Sequence, residues 1–421
     1  MKSSRYNIFI HKEERLFVYN QLHSSLLEID KDLAHLLKSS DINSIEGDLK
    51  DELYHNGIIC KKSLNESHVL LARNKQIRFS SDFARVTILP TIDCNFRCWY
   101  CYENHKDSTM TEENSKRVLL FCKQLIEQGN FKTFHLDWFG GEPLLLFKEI
   151  VYPLSKQIKN LCKEHKIAFL NTITTNGALV TEQMIVAFKE IDLKSFQITL
   201  DGDKNFHNKT RFSKEMSDSF SVIVNNITQI CRAIPNVDMT VRINYTPKNL
   251  HSIDNIVGAF PEDVRSKLSI SPQIVWQFKS SANIIGQMIK EKMEHFISAG
   301  YKKSITSLEC MPCYTENMKQ FVINYDLFVY KCTARDFTEE QAVGKILEDG
   351  TLVLFPRYYD YYISSSVESK ECMECDLLPS CLGNCLQKRV ESLENNCDKE
   401  KIKESLINKV LLYIKQQENM A

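Results

Sequence analysis

Alternating apolar and polar residues at the start of the chain predict a small module containing strands. The runs on either side of the charged turn at 11–15 have the two-residue period of strands and predict a hairpin. Patterns with a helical period follow, and Gly57 closes the second of them. We expect residues 1–80 to form a separate N-terminal module with strands at 5–11, 15–21, 24–30 and 58–60, helices at 30–40 and 44–57, and a polar connector at 61–68.

A second pattern, in which strand and helix signals alternate, runs from residue 85 to about residue 303. This alternation predicts a parallel sheet covered by helices, and therefore the α/β class. Six strand–helix units are too few to close a standard eight-stranded barrel, and chemistry in parallel arrangements gathers at the C-terminal strand ends. The predicted strands are 85–90, 133–139, 168–174, 195–200, 239–245 and 273–278, and the predicted helices are 111–129, 147–165, 181–191, 220–234, 253–260 and 282–300.

Composition narrows the class of protein without naming a function. The 421 residues are enough for two or three domains, with 43% hydrophobic and 25% charged residues. The net charge of −1 implies neither a nucleic-acid partner nor a membrane surface. No apolar run approaches the roughly 18 residues of a membrane span, and the charged start does not resemble a signal peptide. We therefore expect a cytoplasmic protein.

The fifteen cysteines are unevenly placed. Four single cysteines lie in apolar or helical contexts and are interpreted as small buried hydrophobes: Cys60, Cys122, Cys162 and Cys231. The other eleven fall into two groups, at 94–101 and 310–397. The chain length and the lack of a secretory signal argue against a disulfide framework, so the groups indicate metal binding.

The first group, Cys94-x3-Cys98-x2-Cys101, directly follows the first predicted strand of the sheet and has Tyr100 before its last cysteine. Three thiolates can hold three irons of a [4Fe–4S] cluster and leave the fourth open as a coordination site. A structural zinc site and three buried thiols are the alternatives. The motif resembles the radical SAM superfamily, in which the open iron binds S-adenosylmethionine (SAM) and reduction releases a 5′-deoxyadenosyl radical. That resemblance implies an open, partial (β/α)6 TIM-type barrel, with the three cysteines as catalytic cluster ligands.

Motifs after the next strands fit the same resemblance. Gly140-Gly141-Glu142-Pro143 allows close approach of the backbone and offers a carboxylate. In the family this motif meets the methionine amino group of SAM. Thr175 and Asn176, before Gly177, offer a hydroxyl and an amide at the height expected for the ribose.

The fourth strand ends at Leu200-Asp201-Gly202, with His207 and Arg211 beyond it. This segment resembles the family pattern in which the arginine pairs with the SAM carboxylate, a bidentate and selective contact. A surface salt bridge is the alternative for Arg211. Asn244, near the end of the fifth strand, is a further candidate for SAM contact.

The second cysteine group supplies the ligands for two complete clusters with four thiolates each. It resembles the SPASM extension of radical SAM enzymes, with Cx2Cx5Cx3C as the most specific mark. Leu327 stands where the family has a glycine, so the turn must form without one. Paired zinc ribbons are the alternative, and Cys310 is the least secure ligand. The resemblance implies one auxiliary cluster on Cys310, Cys313, Cys332 and Cys385 and an outer one on Cys372, Cys375, Cys381 and Cys397.

The N-terminal module resembles the PqqD-like winged-helix element of peptide-modifying radical SAM enzymes, which binds a leader peptide as an added strand. A plain cap on the barrel is the alternative. An amphipathic C-terminal helix is expected to pack back on the molecule. The predicted division is a recognition module at 1–80, a partial barrel at 85–305, a SPASM domain at 306–400 and a C-terminal helix at 401–421.

Three functions remain open at the level of sequence. The first is a maturase that abstracts hydrogen from a ribosomally made precursor peptide carrying a leader and forms a thioether, carbon–carbon or related crosslink. It would use SAM, three [4Fe–4S] clusters and a reductant such as flavodoxin or ferredoxin. The second is an anaerobic sulfatase-type formylglycine maturase, although Thr333 stands where such enzymes carry their aspartate base and Asp336 lies three residues further on. The third is a non-catalytic iron–sulfur scaffold.

Overall fold

The structure is a computed structural model that describes residues 1–39, 42–275, 277, 282–302, 307–364, 367–392 and 397–418. The chain divides into two compact units. The composite unit consists of 1–80, 305–318 and 359–421, and the sheet unit consists of 81–304 and 319–358. No helix within the described ranges is both long and apolar enough to cross a membrane. The four-domain division predicted from the sequence stays a prediction.

The strands and helices are numbered in chain order. The strands are β1 (Lys2–Ser3), β2 (Asn7–Lys12), β3 (Arg15–Asn20), β4 (Ser25–Ile29), β5 (Ile59–Cys60), β6 (Phe83–Leu89), β7 (Arg97–Cys98), β8 (Thr133–Trp138), β9 (Ala168–Thr175), β10 (Leu193–Leu200), β11 (Arg211–Phe212), β12 (Asp238–Tyr245), β13 (Leu268–Ile274), β14 (Gln320–Asn324), β15 (Phe328–Tyr330), β16 (Gly344–Ile346) and β17 (Leu352–Leu354). The helices are α1 (Lys31–Ser39), α2 (Gly47–His55), α3 (Glu66–Arg78), α4 (Glu112–Gln128), α5 (Tyr152–Glu164), α6 (Glu182–Glu190), α7 (Lys204–Thr210), α8 (Ser219–Ala233), α9 (Glu262–Arg265), α10 (Ala282–Ser298), α11 (Pro356–Ile363), α12 (Lys370–Met373), α13 (Leu378–Cys381), α14 (Leu386–Ser392) and α15 (Lys399–Glu418).

The sheet unit is an α/β fold built on a mostly parallel ten-stranded sheet. Its strand order is β13-β12-β10-β9-β8-β6-β14-β15-β16-β17, and the pairs from β13 to β14 are parallel. The first five predicted strands of the sheet are confirmed with small shifts in their ends. Their C-terminal ends lie at one edge, so the loops that carry the candidate motifs meet there.

The sixth predicted strand lies earlier in the chain than its apolar run indicated. The prediction covered 273–278, whereas β13 is Leu268–Ile274 and pairs with β12 in parallel. Leu268 and Ile270 alternate with serines and are buried, which is the true strand pattern. Residues 276 and 278 of the predicted run lie outside the described residues.

Two other elements of the sheet unit differ from expectation. The predicted helix at 147–165 is a π-helical turn, Phe147–Val151, followed by α5 with Pro153 in its first turn, where a missing N–H is tolerated. The weak helix at 253–260 is a 3-10 helix, Asp254–Ala259. The sequence pattern predicted no strand at β14, which pairs in parallel with β6 and extends the parallel set to seven.

The composite unit confirms the predicted strands of the N-terminal module. β2, β3 and β4 form an antiparallel sheet in that order, and β5 pairs with β1. The second half of the predicted connector was wrong, because Asn65 caps the unpredicted helix α3 by accepting a hydrogen bond from the His68 N–H. The predicted C-terminal helix is confirmed as α15, and its Val410 and Ile414 pack in one core with Phe17.

Candidate active site

The cysteine triplet lies on the loop that follows β6. Cys94 is buried, and Cys98 and Cys101 are half-buried. The Phe96 N–H points to Cys94 Sγ at 3.4 Å, and the Cys101 N–H donates to Cys98 O at 3.1 Å. Burial and the nearby Glu142 raise the pKa of Cys94 to about 12, and burial raises the pKa of Cys101 to about 11. The metal-free thiols are therefore protonated at neutral pH, so a bound metal must displace protons.

The glycines after β8 let this turn lie directly against the cysteine loop. The Gly141 N–H donates to Thr91 O at 3.1 Å, and the Glu142 N–H donates to Asp93 O at 2.9 Å. Gly140 has φ +112°, and a Cβ at Gly141 would lie 2.0 Å from Asp93 O. Only glycine allows this approach, so the motif is required by the packing of one loop on the other.

Glu142 joins the second and third strand ends. Its carboxylate is fully buried and accepts hydrogen bonds from the Thr175 hydroxyl at 2.7 Å and the Asn176 N–H at 2.7 Å. It also accepts from the Leu144 N–H at 3.0 Å. Burial raises the pKa of Glu142, and these hydrogen bonds oppose the rise. The sequence assigned Glu142 to the SAM amino group, and that role stays a prediction beside this bracing role.

Asn176 extends this connection to the first cysteine. Its Nδ2 donates to Asn95 Oδ1 at 2.7 Å and lies 3.7 Å from Cys94 Sγ. Thr175 and Asn176 are both buried, and Pro143 starts the short 3-10 helix Pro143–Leu146. The structure thus brings together the motifs predicted after β6, β8 and β9.

A buried polar cluster joins the remaining predicted residues. The Tyr100 hydroxyl donates to Asp201 Oδ2 at 2.5 Å and accepts from Arg211 Nη1 at 2.7 Å and Asn244 Nδ2 at 3.1 Å. Burial raises the pKa of Asp201, while the charge of Arg211 and the hydrogen bond from Tyr100 oppose the rise. Tyr100 is the centre of this cluster, because its hydroxyl contacts all three other side chains.

Strand pairing explains why Arg211 reaches the cysteine loop. β11 pairs antiparallel with β7, with Arg211 opposite Cys98 and Phe212 opposite Arg97. The guanidinium carbon of Arg211 lies 5.7 Å from the centre of the Phe96 ring. Arg211 is 8% exposed, so the alternative of a surface salt bridge is wrong.

Sequence reasoning missed the supporting residue Asn249, and it placed His207 at the site without assigning it a role. Asn249 is buried, and its Nδ2 donates to Asp201 O at 2.9 Å and Asn244 O at 3.0 Å. His207 is fully buried, and its Nδ1 accepts from the Asp201 N–H at 3.3 Å. Burial and the charge of Arg211 lower the pKa of His207, so the ring is neutral at physiological pH. Asn249 lies just after β12, and its place beyond the end of that strand was the one sequence feature that could have identified it.

A buried carboxyl group near the third cysteine was also missed. Glu103 is 9% exposed, and burial together with the charge of Asp336 raises its pKa to about 8. Its place two residues after Cys101 was the available sequence signal. Tyr102 lies between Cys101 and Glu103 in the sequence, and its hydroxyl donates to Thr333 O at 2.9 Å.

The second cysteine group is divided between the two units. Cys332 lies in the sheet unit, where the Ala334 N–H points to its Sγ at 3.4 Å. The other seven lie in the composite unit, where Cys313 and Cys397 are exposed and Cys372 is buried. Leu327 forms the expected turn with φ +72°, a left-handed conformation that usually favours glycine. The predicted assignment of these cysteines to two clusters stays a prediction.

The residues around the triplet suit a cluster that binds a ligand with both amino and carboxylate groups. Two buried atoms, Arg211 Nε and Asp201 Oδ1, have no hydrogen-bond partner in the described residues. They leave one donor and one acceptor for a ligand. Among the described residues, no three ligating side chains are close enough together to hold one metal ion. A cubane cluster does not require this, because each thiolate binds a different iron.

Comparison with known proteins agrees with the fold and the motifs. Residues 88–258 match the family described as the Radical SAM superfamily. The chain is 22% identical to the radical SAM cyclopropyl synthase TigE of Paramaledivibacter caminithermalis, over 91% of this chain and 89% of that protein. It is 24% identical to a cysteine-type anaerobic sulfatase-maturating enzyme of Clostridium novyi, over 72% of this chain and 87% of that protein.

A solved structure shares the fold over nearly the whole length. It is Streptococcus suis SuiB bound to precursor peptide SuiA, with a TM-score of 0.53 and 15% identity, and the match covers 95% of this chain and 99% of that one. The match of residues 88–258 confirms the resemblance to the radical SAM superfamily that was predicted from the first cysteine group. The chain contains a radical SAM domain, which spans residues 88–258.

Proposed function

We propose that the chain is a radical SAM peptide maturase of the SPASM subfamily, which modifies a ribosomally made precursor peptide. The cysteine triplet would hold a [4Fe–4S] cluster, which together with SAM would supply the chemistry of a 5′-deoxyadenosyl radical. The observation that carries the proposal is the buried cluster around Tyr100 beside the cysteine loop, where Arg211 Nε and Asp201 Oδ1 have no hydrogen-bond partner in the part of the chain that the structure describes.

In this proposal the site residues divide their work. Cys94, Cys98 and Cys101 hold the cluster, and Arg211 takes the SAM carboxylate in a charge-assisted contact. Tyr100 fixes the guanidinium by accepting from Nη1 at 2.7 Å. The family resemblance assigns the GGEP turn to the amino group of SAM, and Asn244 is proposed as a further SAM contact.

A peptide substrate is supported by whole-chain likeness rather than by the radical SAM domain alone. The chain matches TigE along most of both lengths, and SuiB, which shares the fold, was solved with a precursor peptide. The β2-β3-β4 sheet provides edge strands of the kind that PqqD-like modules use for leader peptides. We therefore interpret residues 1–80 as a leader-recognition module and 306–400 as a SPASM domain with two auxiliary clusters.

A crosslink requires the peptide to lose two hydrogen atoms. One leaves with the adenosyl fragment, and the second leaves as a proton and an electron. The auxiliary clusters, once loaded, are suited to accept that electron. A flavodoxin or ferredoxin would supply the electron that cleaves SAM.

A sulfatase-type formylglycine maturase is the second candidate, since a sulfatase-maturating enzyme aligns with 72% of the chain. Thr333, directly after Cys332, argues against this candidate, because its side chain has no carboxylate that could act as the base. The backbone carbonyl of Thr333 accepts a hydrogen bond from the Tyr102 hydroxyl. Asp336 is close enough to Glu103 to raise the pKa of that carboxyl group, so acidic groups do occur nearby. The intact cysteine triplet and the buried Arg211 weigh against a non-catalytic scaffold.

The test uses short peptides encoded beside the gene, synthesised with and without their leader. Anaerobically reconstituted enzyme, SAM and reductant should remove two hydrogens from the full-length peptide, as measured by mass spectrometry. The leaderless peptide should react poorly. An aldehyde formed on a sulfatase-derived cysteine or serine peptide, with no change in the precursor, would instead favour the second candidate.

A further inference from the structure

We propose that a cavity within the composite unit binds a peptide segment of the substrate by pairing with its amide groups. This rests on the proposed maturase function and adds a site to it. The cavity has a volume of about 340 Å³, at the lower end of ligand pockets. Its walls come from the turn between β3 and β4, from α3, and from two segments at 309–312 and 379–382.

Asn74, on α3, is the observation that points to a ligand. The residue lines the cavity and is 3% exposed, yet neither its Nδ2 nor its Oδ1 has a hydrogen-bond partner in the described residues. Buried polar groups are almost always paired, because a buried amide without a partner is destabilising. A planar group with a donor on one side and an acceptor on the other is matched best by a second amide. A peptide bond and an Asn or Gln side chain both provide one.

Gln21 adds a second, fixed acceptor to the same cavity. Its Nε2 donates to Asp376 O at 2.8 Å and Tyr6 O at 3.2 Å, which holds the amide in one orientation. Its Oε1 is buried and has no hydrogen-bond partner among the residues that the structure describes. Gln21 and Asn74 therefore offer two acceptors, as required to bind more than one N–H of an extended chain.

The rest of the lining favours a peptide over a phosphorylated ligand. Leucine, isoleucine and proline side chains form much of the wall, and Met311 is 67% exposed and adaptable in shape. Arg73 is the one arginine or lysine among the described lining residues, and its Nη1 donates to Leu22 O at 2.6 Å. Apolar walls with a few placed polar groups suit apolar side chains flanking an amide.

The cavity differs from the sheet edge in the mode of binding that it offers. Addition of a strand at β4 would use backbone hydrogen bonds, whereas Asn74 and Gln21 read an amide with side chains. Cys310, a predicted auxiliary ligand, lines the cavity itself, and Cys381 lies within the wall segment 379–382. An iron–sulfur cluster at Cys310 is therefore a competing occupant.

The experiment uses the full, anaerobically reconstituted chain and a peptide selected from a random dodecapeptide display library. The selected peptide is synthesised with a fluorophore, and its affinity is measured by fluorescence anisotropy. Asn74→Leu should weaken binding by about ten- to a hundredfold, because the peptide amide loses its partner. Asn56→Leu, at the C-terminal end of α2 and outside the cavity, is the matched control and should bind as the unmodified chain does.

A second variant at the mouth of the cavity tests the proposal even if Asn74→Leu does not fold. Met311→Trp at the exposed mouth should weaken binding severalfold while the iron content stays the same. Failure to select any peptide, or an affinity for Asn74→Leu within twofold of the control, would overturn the proposal. So would loss of iron in Asn74→Leu, which would assign the cavity to a cluster.

Formation of 5′-deoxyadenosine without peptide is measured in the same samples. We expect it to be equal in all variants. If the unmodified chain forms none, the proposed function fails, while the anisotropy result still decides the cavity. If 5′-deoxyadenosine forms and Asn74→Leu binds normally, the cavity proposal alone fails.

Discussion

The two cysteine groups are built in different ways. The triplet from Cys94 to Cys101 occupies eight consecutive residues, and backbone and side-chain contacts hold its loop against the ends of β8 and β9. The second group extends from Cys310 to Cys397, on short helices and loops in both units. The loop of the first group is held in place by the nearby glycines and by one carboxylate. The cysteines of the second group are far apart in sequence, so distant segments must hold them in place.

The N-terminal module provides part of that support. Around the outer pair Cys372 and Cys375, the Ser67 hydroxyl donates to Met373 O at 2.8 Å and Gln21 Nε2 donates to Asp376 O at 2.8 Å. Cys372 packs in the same core as Tyr6, Leu22 and Leu70, which all belong to the module. Deletion of residues 1–80 would therefore disturb this cysteine loop as well as any leader binding, so point variants test the two roles more cleanly.

The largest difference should separate the two cysteine groups themselves. Joint replacement of Cys94, Cys98 and Cys101 by alanine should abolish cleavage of SAM to 5′-deoxyadenosine, because the iron that binds SAM is lost. Replacement of Cys372 and Cys375 should leave some cleavage uncoupled from peptide modification. Chromatographic assay of 5′-deoxyadenosine decides between them. Equal loss in both variants would mean that the outer group is required for SAM chemistry.

A second comparison concerns a buried ion pair of the composite unit. Arg78 and Glu316 are almost fully buried, with Nη1 and Oε2 3.1 Å apart, and Arg78 also donates to carbonyls of Tyr361, Tyr362 and Ser364. Arg78→Leu removes the buried cation that pairs with Glu316 and should lower the free energy of unfolding by about 3–5 kcal/mol.

Lys75→Gln is the matched control, since its pair with Glu368 is exposed and should contribute under about 1 kcal/mol. Denaturant unfolding of both variants, followed by circular dichroism, measures the difference. Similar unfolding midpoints for Arg78→Leu and Lys75→Gln would mean that the buried ion pair does not stabilise the packing of α3 in the composite unit.

A smaller effect is expected at the SAM contact. Arg211→Gln should weaken SAM binding by roughly two orders of magnitude, about 3 kcal/mol, because it removes the buried charge that we propose pairs with the SAM carboxylate. Equilibrium binding of SAM to the reconstituted enzyme measures it.

Arg232→Gln provides the comparison for this variant, because its ion pair with Asp263 lies at the surface. It should bind SAM normally. Normal SAM affinity in Arg211→Gln would restrict Arg211 to holding Tyr100.

Sequence predicted the parallel strands and the motif loops well because both have local signals. The period of two, the glycine pair and the cysteine spacing can each be identified without knowledge of the fold. β14 was missed because all five of its residues are buried, so it shows no alternation. α3 was missed because the polar residues before it indicated a loop, although Asn65 among them is its cap.

The roles of individual polar side chains could not be predicted from the sequence, because they depend on tertiary contacts. The sequence placed Glu142 and Arg211 at the site, but it gave no sign that Glu142 would brace Thr175 and Asn176. It also gave no sign that Asn249 would hold two strand ends. The amide of Asn74, which has no partner within the described ranges, could be found only after the fold brought distant segments together around it.

The most direct test of the account is metal and SAM analysis of one anaerobically reconstituted sample. The eleven grouped cysteines predict three [4Fe–4S] clusters, so about twelve irons and as many sulfides per chain are expected. On addition of SAM and dithionite, the sample should form 5′-deoxyadenosine and methionine, and air should bleach the SAM-binding cluster first. Near eight irons would remove one auxiliary cluster. Bound zinc in place of iron, or an iron-replete protein that leaves SAM intact, would contradict the account.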